Sequence, residues 1–178
     1  LRQSLPERAF AATEVAGHLD AAMAERFGLA AGTPVAVGAI DAHLGALGAG
    51  VAAGDLVKVL GTSTCDMAVA ALDDLPDIPG IAGIVRDSIV PGMVGFEAGQ
   101  AAVGDAFAWC VRELWKGEHA DLEAAAAAIP TGASGLLALD WWNGNRCVLA
   151  DQALTGTVVG LNLRTTTPEI YRALVEST

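Results

Sequence analysis

Residues 56–60 and 65–70 are two apolar runs separated only by Gly61-Thr62-Ser63-Thr64, a spacing that predicts a β-hairpin in the middle of the chain. A second short apolar strand, residues 35–38, follows the break at Thr33-Pro34 and delivers an acidic residue, Asp41, at its end. Residues 42–50 can form a short, glycine-interrupted helix, which would set the Asp41 carboxylate where backbone N–H groups point outward. One carboxylate and one hydroxyl-rich turn, each at the end of an apolar strand, are the parts a phosphotransferase needs to hold a hydroxyl beside a polyphosphate.

The flanking segments complete an alternating pattern. Ala9, Phe10, Ala12, Ala16, Leu19, Met23 and Phe27 fall at helical spacing, which predicts one helix over residues 6–27 closed by Gly28. Residues 83–90 and 93–97 read as strands, 98–115 and 120–129 as helices, and 135–140 as a strand entering the loop Trp141-Trp142-Asn143-Gly144-Asn145-Arg146. Thr167, Pro168 and Glu169 give a helix start with Thr167 as the N-cap. Strands and helices mixed in this order give an α/β or α+β architecture, without internal repeat.

A hydrophobic fraction of 53% against 17% charged residues supplies a sizeable core and rules against disorder. The formal net charge of −11 argues against a nucleic-acid surface, since phosphate binding needs clustered Lys and Arg. No apolar run approaches the ~18 residues of a membrane span, so no membrane partner is expected. Cys65, Cys110 and Cys147 lie far apart and imply reduced, mostly buried thiols; together with the lack of an export signal they fit the cytoplasm. At 178 residues the chain is one domain or parts of two, and both ends read as cuts through a longer protein.

Each candidate residue has a plain reading beside the chemical one. Asp41 is either a base that accepts a hydroxyl proton or a helix cap, and spacing alone favours the cap. Gly61, Thr62 and Ser63 offer backbone and hydroxyl donors to phosphate, or form an ordinary turn. Glu97 ends an apolar strand before Ala98-Gly99-Gln100; its carboxylate suits sugar hydroxyls, and equally a helix N-terminus. His43 reads as structural and without an evident partner, and His18 and His119 as solvated helix residues. No His, Cys and Asp set has metal-ligand spacing. The tryptophan pair reads as packing rather than as a stacking platform for a sugar or base.

Four segments taken together carry a resemblance: residues 41–50, 56–65, 90–100 and 139–146. In that order they resemble the FGGY family of carbohydrate kinases, and within it the ribulokinases. The resemblance implies an actin-like, ribonuclease-H-like ATPase fold, with residues 1–54 ending a sugar-binding domain and 55–178 opening an ATP-binding domain. It implies ATP-dependent phosphorylation of ribulose to ribulose 5-phosphate in arabinose catabolism, with ATP and Mg²⁺ as cofactors and a homodimer as the assembly to look for. Asp41 matches the family's catalytic base, which also contacts the sugar and can help position Mg²⁺. Glu97 matches a ketose contact, Gly61, Thr62 and Ser63 a phosphate-binding hairpin, and Gly104 a nucleotide-contacting glycine. Ala108 falls where related glycerol kinases carry glutamine, so that contact does not carry over. The N-terminal phosphate loop and the glycine-rich adenine site are missing, so the chain alone is expected to show no turnover. Within the family, another pentulose or polyol kinase is the alternative; two readings of another class stand beside it, a non-catalytic sugar or nucleotide sensor on the same scaffold and an ATPase of the actin or chaperone type.

Overall fold

A computed structural model describes residues 10–71 and 73–178. Near its start two short strands, β1 (Val15–His18) and β2 (Pro34–Ala36), pair antiparallel on either side of helix α1 (Ala21–Phe27). Asp20 opens that helix by accepting the Met23 N–H on Oδ1 at 2.8 Å, and Gly28, at φ 66°, closes it. The single helix expected over residues 6–27 therefore does not form. Residues 1–9 lie outside the described residues, and the rest divides into β1 and α1 at Asp20. The apolar spacing rested largely on alanines, which bury little on any face, so the Asp20 cap and the β1–β2 ladder decide. His18 accordingly sits on β1 rather than on a helix.

Helix α2 (Asp41–Gly48) turns Ala42, His43 and Ala46 inward onto the predicted hairpin. There β3 (Val57–Leu60) and β4 (Thr64–Ala70) pair in register from Val57↔Met67 to Leu60↔Thr64. The helix backbone lies close over β3: a Cβ on Gly45 would come to 3.5 Å from Val59 Cγ2. On the other side of β4 lies β6 (Val94–Ala98), and β5 (Gly83–Arg86) closes a four-stranded antiparallel sheet of order β3-β4-β6-β5. The strand expected over residues 83–90 stops at Arg86. Asp87 enters the left-handed region at φ 62° and accepts the Gly92 N–H at 2.6 Å, which turns the chain back toward β6. Ala42, Ala46, Val51, Met67, Val69 and Ile89 fill the core between α2 and the sheet.

A second core, built on Cys110, Leu122, Ala126, Tyr171 and Leu174, joins the remaining helices. These are α3 (Gly104–Trp109), continued by a π-helical turn (Cys110–Trp115), then α4 (His119–Ala127) and α5 (Thr167–Ser177). The helix expected over residues 98–115 thus begins only at Gly104, because Ala98 still belongs to β6 and Gly99, at φ 146°, turns the chain first. At α5 the N-cap is Thr166, one residue before the predicted Thr167. Its N–H and hydroxyl donate to Glu169 Oε2 at 2.7 and 2.8 Å. Strands β7 (Leu137–Leu139) and β8 (Thr157–Val159) pair antiparallel, and the Trp141–Arg146 loop lies on the connection between them; β8 was not expected from the sequence. His119, read as solvated, bonds the Tyr171 hydroxyl through Nε2 at 2.8 Å. Burial pushes the Cys110 thiol up to about 11. Among the described residues no helix is long and apolar enough to cross a membrane.

Candidate functional site

The turn between β3 and β4 is fastened to the start of α3 by its carbonyls. Thr62 O accepts the Val103 and Asp105 N–H groups at 2.9 and 3.3 Å, and Gly61 O accepts the Gly104 N–H at 3.1 Å. Ser63 O accepts the Gly61 N–H at 2.9 Å. The N–H groups and hydroxyls of Thr62 and Ser63 have no hydrogen-bond partner among the described residues. The Gly61 and Thr62 carbonyls are thus occupied while the Thr62 and Ser63 donors are not, which is the polarity an anion-binding turn requires. Gly104 permits the close approach, since a Cβ there would stand 2.7 Å from Gly61 O. An apolar groove of about 360 Å³ opens beside the turn, lined by Leu60, Val103, Gly104, Phe107 and Val175 among others.

The two candidate carboxylates come from different elements. Asp41 is the first residue of α2 and is exposed; its Oδ1 accepts the Ala42 N–H at 2.8 Å, while Oδ2 has no hydrogen-bond partner among the described residues. Glu97, half-buried near the end of β6, pairs with His43 Nε2 through Oε2 at 3.2 Å. Its other oxygen lies 3.9 Å from the Cys65 sulfur. His43 is buried on the inward face of α2, so it links the helix that bears Asp41 to the strand that bears Glu97. A cavity of about 640 Å³ is lined by His43 but by neither Asp41 nor Glu97.

The aromatic loop packs rather than presenting a platform. Trp142 stacks on Trp109 with ring centroids 5.0 Å apart and 29° between the planes, and it joins the second core. Arg146, at the end of the loop, donates from Nη2 to Thr64 O at 2.6 Å and to Ala98 O at 3.2 Å. Burial opposes its charge, but the bond to Cys65 and the neighbouring Cys65, Glu97 and Cys147 outweigh that and hold the guanidinium protonated.

Residues 56–178 match the family model described as the FGGY family of carbohydrate kinases, C-terminal domain. The chain belongs to the FGGY family of carbohydrate kinases. Its relatives include the ribulokinase of Shouchella clausii, 47% identical over 176 residues, which cover 92% of this chain and 31% of that protein. The ribulokinase of Bacillus licheniformis is 44% identical over the whole chain and 34% of its own length. This FGGY chain therefore spans about a third of the length of the curated relatives it matches. Among solved structures, xylulose kinase from Rhodospirillum rubrum superposes with a TM-score of 0.74 at 32% identity, over 95% of this chain and 34% of that one. Glycerol kinase from Plasmodium falciparum, with ADP, gives 0.70 at 13% identity over 94% of this chain and 33% of that one, a likeness of fold alone. The fold is the actin-like, ribonuclease-H-like ATPase fold of the sugar kinases.

Within this FGGY chain Gly61, Thr62, Ser63 and Gly104 come together as one unit. Asp41 and Glu97 make no direct hydrogen bond and are related through His43. Sequence reasoning left His43 without a partner because Glu97 lies 54 positions away. It also gave Arg146 no contact. The available signal was its place at the end of a fixed turn-rich loop, in a chain with only 10 Lys and Arg.

Proposed function

We propose that the full-length protein carrying this chain is an ATP-dependent ketopentose kinase that converts L-ribulose, or D-ribulose, to ribulose 5-phosphate in pentose catabolism. Residues 1–54 are the end of its sugar-binding domain and 55–178 the opening of its ATP-binding domain; the family match from residue 56 supports that division. The observation that carries the reading is the turn at Gly61, Thr62 and Ser63: the Gly61 and Thr62 carbonyls are tied to the start of α3, while the N–H groups and hydroxyls of Thr62 and Ser63 have no hydrogen-bond partner among the described residues. Those donors and Gly104 hold the polyphosphate of ATP, and the apolar groove beside them receives the rest of the nucleotide.

Asp41 acts as the general base. Its unpartnered oxygen accepts the proton of the sugar's terminal hydroxyl as that oxygen attacks the γ-phosphorus, forming the new O–P bond while the bond to the β-phosphate oxygen breaks. The Ala42 N–H on Oδ1 fixes the carboxylate for that role, so cap and base are one arrangement. Glu97, held by His43, accepts hydrogen bonds from the ketose hydroxyls. An exposed carboxylate oxygen is also the hard donor that a magnesium ion's water shell takes, so Asp41 fits as its holder; when bound, the ion neutralises charge on the phosphate oxygens. The chain alone, spanning 31% of a relative such as the Shouchella clausii ribulokinase, is proposed to show no turnover.

A xylulose substrate is the second reading, favoured by the 32% identity to the Rhodospirillum rubrum xylulose kinase. Assaying the full-length protein with ATP against L-ribulose, D-ribulose, xylulose, ribitol and glycerol tests both. The highest kcat/KM on a ribulose supports the first reading and on xylulose the second. ATP hydrolysis equally fast with no sugar present contradicts both and points to a partner-driven ATPase.

A further inference from the structure

Arg146 reaches across the ends of two strands. One guanidinium nitrogen, Nη2, holds Thr64 O and Ala98 O and lies 3.5 Å from the Cys65 sulfur. Thr64 directly follows Ser63 of the turn, and Ala98 directly follows Glu97, so a single side chain ties together the two segments assigned to nucleotide and sugar. Gly99 makes the room: at φ 146° it carries no Cβ, and one placed there would overlap both Thr64 O and the guanidinium. Arg146 Nε is buried without a hydrogen-bond partner among the described residues. Burying a cation with a donor unmet costs stability, so the position is not the one that loop anchoring alone would choose. The loop already has another anchor, the Trp142–Trp109 stack.

We infer that Arg146 is a positioning residue that fixes the Gly61–Thr62–Ser63 turn relative to Glu97, and so sets the distance between the two substrates. The substrate roles of those residues rest on the function proposed above. Misplacing reacting groups by about 1 Å costs on the order of 10²-fold in rate, and the loss falls on kcat more than on ground-state binding.

The test uses the full-length protein and Arg146→Ala. The expected result is a kcat lower by about 10²-fold with KM for ribulose and for ATP each within about 3-fold of wild type. Millimolar guanidinium ion, which replaces the missing head group, restores much of the lost rate. Hydrogen exchange of the peptides covering residues 61–66 and 96–100 is faster in the variant. Arg146→Lys, which keeps charge and stem, gives the same comparison should the alanine variant not fold, with a smaller loss of kcat. An unchanged kcat, a loss confined to KM without guanidinium rescue, or unchanged exchange in both peptides overturns the inference. Where the wild type phosphorylates no ketopentose, the kinase reading fails, and exchange still decides: acceleration in both peptides supports the positioning role and its absence overturns it.

Discussion

At the residue scale the candidate site is defined by what each polar atom already holds. Asp41 keeps one carboxylate oxygen on its own helix and has the other unpartnered, whereas both oxygens of Glu97 have a neighbour in His43 or Cys65. A group held on both sides is suited to recognition and a group with an unpartnered oxygen to proton transfer. Glu97→Gln in the full-length protein should therefore raise the KM for ribulose by about 10- to 100-fold, the loss of a charge-assisted hydrogen bond, and leave the KM for ATP unchanged. Gly104→Ala should act on the other substrate. Its Cβ would meet Gly61 O at 2.7 Å, so the turn must move off α3. The expected outcome is a several-fold higher KM for ATP with a stability loss of about 1–3 kcal/mol by denaturant titration, and an unchanged KM for ribulose.

At the element scale, helix ends and turns decide where chemistry can sit. The α5 capping box is a case with a pH signature. Hydrogen bonds from the Thr166 N–H and then its hydroxyl hold the Glu169 carboxyl below its ordinary value. A carboxyl lowered in the folded state stabilises above the ordinary carboxylate range, and that stability is lost as pH falls through the folded value. Thr166→Ala, which removes the hydroxyl but keeps the N–H, should lower the melting temperature near neutral pH by a deficit that shrinks as Glu169 protonates, measured by thermal melts across pH 3–7. The hairpin and the strand carrying Glu97 were legible in the sequence because each is a short apolar run bounded by turn residues, and α2 because it follows a strand and an acidic residue at its start. The division of residues 10–27 into strand and helix was not, because alanines give helical spacing without saying which face is buried. The π-helical turn after α3 was hidden for a related reason: its side chains pack in the second core, which forms only when α4 and α5 arrive.

At the scale of the whole molecule, the site spans material that only long-range contacts assemble. His43 with Glu97, and Arg146 with Thr64 and Ala98, join residues 54, 82 and 48 positions apart, which no spacing rule reports. The roles proposed for Asp41, Glu97 and Gly104 come from the resemblance, whereas the His43–Glu97 and Gly104–Gly61 contacts come from the structure. The second core offers a probe of global opening. Cys110 is fully buried and its thiol is pushed up to about 11, so alkylation at pH 8 should leave it unmodified in native protein and label it only on unfolding. Labelling of Cys110 under native conditions would show that the helical half opens independently of the sheet. The measurement that bears most directly on the proposed kinase is ATP-dependent phosphorylation of L-ribulose by the full-length protein and by Asp41→Asn. The account predicts a kcat lower by about 10²- to 10⁴-fold in the variant with ATP binding intact. Equal activity in the two proteins would contradict it and leave Asp41 as a helix cap alone.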